Sequence, residues 1–231
     1  MLTTTRVVKS PRNCAFIIVD PQVDFGMPYG SLYVNRGEEV VPELNSLRET
    51  LELSGRLKST FLTKDCHPPE HVSFSINNPG SEVFNEFILP NGTKQMMWPP
   101  HCQPGTPGYE FIPGLVTRAT DVVIYKGTNP TVDSYSGFGS EDGKGEVTPL
   151  HLHMNGNNIK YVFIGGLAFD YCVSYTARDA AKHGYTVCVV RSATEGITAE
   201  GCEREESLMR KAGVLILENV DAVEDFLTKN S

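Results

Sequence analysis

KYVFIGGLAFDYCVSYTARDAAKHGYTVCVV, residues 160–190, decides how the rest of the chain reads. It opens with a continuous apolar run, KYVFIGG (160–166), and closes with another, YTVCVV (185–190). Between them, VSYTARDAAKHG (173–184) reads as a helix that runs to a glycine stop at Gly184. Runs that are apolar throughout, rather than alternating, suit strands covered on both faces, as in a parallel sheet crossed by helices. The stretch therefore predicts one strand–helix–strand unit of such a sheet.

Four more runs of the same kind lie outward of it: CAFIIV (14–19), STFLT (59–63), DVVIY (121–125) and GVLIL (213–217). EEVVPELNSLRETLELSG (38–55) places apolar residues at helical spacing and stops at Gly55. Alternating β and α segments predict an α/β fold with a doubly wound, mostly parallel sheet of six strands. A chain of 231 residues can bury one sizeable core, and residues 1–231 read as a single domain without repeats or linkers. Two excursions interrupt it, at 66–113 and 128–146, both leaving from strand ends; loops that long are usually functional.

With 40% hydrophobic and 21% charged residues, the composition is that of a soluble globular protein. No apolar run approaches the roughly 20 residues needed to cross a bilayer, which excludes a membrane-spanning role. The opening residues MLTTTRVVKSPRN lack the apolar core of a secretory signal, so a cytoplasmic, reducing location and free thiols are expected. A net charge of −8 with no basic cluster argues against nucleic acid as a partner.

In doubly wound sheets the ligand sits outside the carboxyl ends of the strands, near the reversal in strand order. The residues there are Asp20, Asp65 with His67, Lys126, and Asp170 with Cys172. Any one such aspartate is often only a helix cap, but their joint occurrence along one edge suggests chemistry. Cys172 stands where a helix begins, a place that lowers a thiol pKa. As a nucleophile it needs a base, for which Asp20 is placed, a positive charge, from Lys126, and oxyanion donors, the backbone N–H groups near Ala168 and Cys172. An isolated cysteine is more often a small core residue, a reading that fits Cys14, Cys188 and Cys202.

Asp65 and His67, two apart in an extended segment, face the same way and form a plausible pair of metal ligands. His71 and His101 in the first excursion could converge with them, giving a catalytic type of site with open positions. Cys66 and Cys102, adjacent to these residues, leave a structural Cys/His zinc site as a rival, although the spacing fits no zinc-finger pattern.

FIIVDPQVDF, TKDCHPPEHVSF, MWPPHC, VIYKGT and GGLAFDYCVSYTARDA, in this order, closely resemble the signatures of nicotinamidases in the isochorismatase-like cysteine hydrolase family. The resemblance runs from about residue 14 to 217. It implies a three-layer α/β/α fold, an Asp20, Lys126 and Cys172 triad, and an oxyanion hole at Ala168 and Cys172. It also implies one divalent metal ion on Asp65, His67 and His101, with a metal-binding excursion at about 65–113. Asp/His₂ plus water suits zinc first, with iron or manganese as alternatives. The implied substrate is nicotinamide, hydrolysed through a cysteine thioester, its ring nitrogen on the metal and its ring against Phe25, Trp98 and Tyr135. A broader pyridine-carboxamide amidase, acting also on pyrazinamide, is the alternative. A homo-oligomer is compatible with such sheets. The peptide bond between Leu167 and Ala168 falls where the family has a cis bond. The chain departs from the family pattern at Val23, Cys66 and Phe169, where Asn, Trp and Thr are usual.

Overall fold

The computed structural model describes residues 13–140, 145 and 147–230. The first dozen residues and part of the second excursion therefore lie outside the described residues. In chain order the elements are β1 (Cys14–Val19), α1 (Val23–Gly26), α2 (Val40–Leu53), β2 (Leu57–Asp65), β3 (Glu86–Ile88), β4 (Lys94–Met96) and β5 (Val122–Lys126). They continue with α3 (Leu150–Asn155), β6 (Tyr161–Leu167), α4 (Ser174–Lys182), β7 (Thr186–Glu195), α5 (Ala199–Lys211), β8 (Leu215–Leu217) and α6 (Val220–Lys229).

Six strands pair in parallel in the order β5-β2-β1-β6-β7-β8. The six runs expected as strands are these six. The chain starts at β1, moves outward to β5, then returns to lay β6 on the other side of β1, so the order reverses between β1 and β6. β3 and β4 form a separate antiparallel hairpin within the first excursion.

Continuous apolar strands feed two cores at once. Phe16 and Ile18 of β1 face a core shared with Leu44, Leu47 and Leu51 of α2 and Val223 and Leu227 of α6. Ala15, Ile17 and Val19 face the opposite core, with Met154 of α3, Ala177 and Ala180 of α4 and Met209 of α5. The result is a three-layer α/β/α arrangement. Each fully buried leucine of α2 contributes roughly 1.5–3 kcal/mol, enough for three of them to offset the weak intrinsic stability of a 14-residue helix. Two helices unread in the sequence, α5 and α6, carry side-chain caps: Thr198 accepts from Gly201 N and Asn219 from Ala222 N.

Candidate active site

The parallel direction of β1, β2, β5 and β6 delivers Asp20, Asp65, Lys126 and Cys172 to one edge of the sheet. Lys126, the last residue of β5, is wholly buried. Its Nζ lies 2.9 Å from Asp20 Oδ2 and donates to Cys172 Sγ at 3.4 Å, to Ser134 O at 3.2 Å and to Asp65 Oδ1. A carboxylate oxygen of Asp20, one of Asp65 and Cys172 Sγ come within 4.8 Å of one another. Asp20 holds a left-handed backbone, φ 43°, unusual for a residue with a side chain.

Electrostatics follow from burial. Desolvation raises the Asp20 carboxyl to about 6, with Lys126 opposing and Asp65 adding to the rise. Desolvation acts against the Lys126 ammonium too, but Asp20 and Asp65 overcome it and hold that group charged. Burial also opposes ionisation of Asp65, yet Lys126 and His67 prevail and keep its carboxyl well below the usual range.

The expectation of a thiol with a lowered pKa is not met. Cys172 lies within a π-helical turn, Phe169–Val173, that leads into α4, and burial pushes its thiol well above the ordinary value despite Lys126. Burial at this depth disfavours a standing thiolate.

Beside this cluster, His67 Nε2 lies 3.4 Å and His101 Nε2 3.9 Å from Asp65 Oδ2. Each histidine bonds a backbone carbonyl through Nδ1, His67 to Gly127 O and His101 to Pro99 O, both at 2.8 Å. A carbonyl only accepts, so Nδ1 carries a proton and Nε2 is the nitrogen turned toward Asp65. Gly127, at φ 64°, leaves the room that the His67 ring fills. Two imidazole nitrogens and one carboxylate oxygen, converging in a buried place, fit a divalent cation.

Gln22 and Asp24 brace these ligands. Gln22 Oε1 accepts from Asp65 N at 2.7 Å while its Nε2 donates to Asp65 O at 2.9 Å, so a side-chain amide extends the pairing at the end of β2. Asp24 accepts from Cys102 N at 2.7 Å, fixing the residue after His101. Val23 opens α1 with its side chain buried. It is not among the residues that line the cavity described next.

A cavity opens beside the two clusters. Cys172 and Ala168 line it together with Asp65, His67 and His101, and Phe25, Trp98 and Tyr135 form walls. Trp98 Nε1 donates to Tyr135 Oη at 3.1 Å, which holds both rings in place. The Leu167–Ala168 peptide is cis. Every residue expected at the site thus lies at one place. His71, left open in the sequence, packs its ring 4.1 Å from that of His67 and pairs Nδ1 with Ser73 Oγ at 2.8 Å. Among the described residues, neither Cys66 nor Cys102 belongs to a cluster able to hold a metal, so no Cys/His site forms.

Leu32, Asp133, Tyr171 and Ile197 also line the cavity, and none was singled out as a site residue by sequence reading. Tyr171 could have been found from its place beside Cys172. Ile197 follows β7 and is delivered by the fold: Asp170 accepts from Ile197 N at 2.9 Å and Thr198 N at 3.1 Å.

A family model for the isochorismatase domain matches residues 14–219. A nicotinamidase of Acinetobacter baylyi is 35% identical over 194 residues, 84% of this chain and 86% of its own. Pyrazinamidase of Pyrococcus horikoshii, solved in complex with zinc, superposes with a TM-score of 0.73 at 35% identity, covering 89% of this chain and 98% of that one. A protein from L. infantum, solved in complex with nicotinate, gives a TM-score of 0.77 at 31% identity over 90% of this chain and 93% of its own.

Proposed function

The chain belongs to the isochorismatase family, and from that premise we propose that it is a nicotinamidase, hydrolysing nicotinamide to nicotinate and ammonia by nucleophilic catalysis at Cys172. The observation that carries this reading is that Cys172, whose Sγ accepts from Lys126 and lies within 4.8 Å of an Asp20 carboxylate oxygen, lines one aromatic-walled cavity with Asp65, His67 and His101.

In the proposed mechanism the pyridine ring lies between Phe25 and Trp98, with Tyr135 beside it. Asp65, His67 and His101 would hold a divalent ion, which would supply a Lewis acid for the ring nitrogen. We assign zinc, which this donor set suits and which the P. horikoshii relative contains; iron or manganese would be the replacements.

Asp20 Oδ2 takes the proton of Cys172, and Lys126 stabilises the thiolate across 3.4 Å as it attacks the amide carbon. Backbone N–H groups at Ala168 and Cys172 receive the oxyanion. The protonated Asp20 returns its proton to the departing nitrogen, ammonia leaves, and a thioester remains. Asp20 then deprotonates a water that attacks the thioester; collapse expels the sulfur, which recovers its proton from Asp20 as nicotinate departs.

We read residues 1–231 as one catalytic domain, with about 65–113 as its metal-binding part, acting in the cytoplasm in NAD salvage. Pyrazinamide is a second substrate: it too is a six-membered aromatic carboxamide with ring nitrogens, and the P. horikoshii relative is described as a pyrazinamidase. The test is ammonia release from nicotinamide by the purified protein, beside C172A and a chelated sample. Release by the native protein alone is expected, and release by C172A at the native rate would overturn the assignment.

A further inference from the structure

Thr63 sits in β2, two residues before Asp65, wholly buried, and its hydroxyl is turned to the end of β1. That hydroxyl accepts from Asp20 N at 3.0 Å and donates to Asp20 Oδ1 at 2.6 Å. The direction of these bonds is fixed. A backbone N–H can only donate and a hydroxyl has a single proton, so that proton goes to Oδ1.

The rotamer of Thr63 is fixed as well. A Cβ added to Gly137 would lie 2.8 Å from Thr63 Cγ2, so the bare glycine accommodates the threonine methyl and the hydroxyl has one direction left. The other carboxylate oxygen is in a different state. Asp20 Oδ2 is buried and ion-paired with Lys126 Nζ at 2.9 Å, with no hydroxyl or amide donor upon it. One oxygen of the proposed base is therefore committed to the Thr63 hydroxyl, and the other meets the Lys126 cation.

We infer that Thr63 is a positioning residue for the hydrolysis: it occupies Asp20 Oδ1 and so makes Oδ2 the one oxygen that exchanges a proton with Cys172. The inference rests on the reading of Asp20 as the base. In each half of the reaction the proton moves between sulfur or water, Asp20 Oδ2 and the leaving group, while the Thr63 hydroxyl keeps its own proton. Valine at 63 retains the methyl contact with Gly137 and loses the hydroxyl, whereas serine keeps the hydroxyl and loses the methyl. The two properties can thus be separated.

The experiment uses the full chain loaded with zinc, in the forms native, T63V, T63S, T63A, D20N and C172A. Ammonia release, metal content and the rate of Cys172 alkylation by iodoacetamide are measured for each. We expect T63V to lose about 100-fold in kcat, as removal of general-base catalysis does, with KM and metal content within about threefold of native. T63S should stay within about tenfold of native, and alkylation in T63V should slow to the D20N rate. If T63V does not fold, T63A and T63S, which both lack the methyl, give the same comparison. Equal kcat in T63A and T63S, or native alkylation in T63V, would overturn the inference. Ammonia release by C172A would instead overturn the underlying reading, and alkylation still reports on Thr63 in a protein inert toward nicotinamide.

Discussion

Lys126 donates to Asp65 Oδ1 while its Nζ stands 2.9 Å from Asp20 Oδ2, so one ammonium separates the Asp65 carboxylate, beside His67 and His101, from the Asp20 carboxylate beside the thiol. All three groups are buried, and no solvent can screen the two acids if that cation is lost.

Replacing Lys126 with Met should therefore destabilise the fold by about 3–5 kcal/mol, the cost of breaking a buried ion pair, and abolish turnover. Denaturant unfolding of native and K126M protein checks this. Unchanged stability would mean that the two carboxylates do not depend on Lys126.

Trp98 is the only tryptophan and lines the cavity, so its fluorescence reports ring binding directly. C172A should quench with nicotinamide at an affinity within about threefold of native while releasing no ammonia. Loss of quenching in C172A would show that the thiol is needed to bind the ring.

Gln22 grips both backbone groups of Asp65, and residues that brace metal ligands typically govern affinity about 10- to 100-fold. Q22L should show a weakening of that size in zinc affinity, measured by competition with a chromogenic chelator. Removal of the bound metal by a chelator should abolish ring binding, read again at Trp98.

The pH dependence follows from Asp20, whose carboxyl burial raises to about 6. A base must be unprotonated to accept the thiol proton, so activity is full above that value and is lost as pH falls through it. With zinc saturating, kcat/KM should drop about tenfold per unit below pH 6. A profile flat down to about pH 4, the ordinary range for an aspartate, would show that the Asp20 carboxyl is not raised in the working site.

Much of this molecule was legible in the chain itself. Continuous apolar runs marked the six strands, most plainly β1 and β6, which are buried along their whole length in the middle of the sheet. Parallel direction then placed Asp20, Asp65, Lys126 and Cys172 on one edge, and the ordered motifs around them carried the family. The tertiary structure decided what depends on depth and on strand neighbours. Helix position alone predicts a lowered thiol pKa at Cys172, but burial raises it, and burial is a property of the whole packed site. Thr63 and Gln22 reach their partners only because β2 lies beside β1, and Ile197 reaches the cavity only because Asp170 holds the loop after β7. Residues adjacent along a strand can be read from spacing, whereas contacts across strands form only once the sheet has set its order.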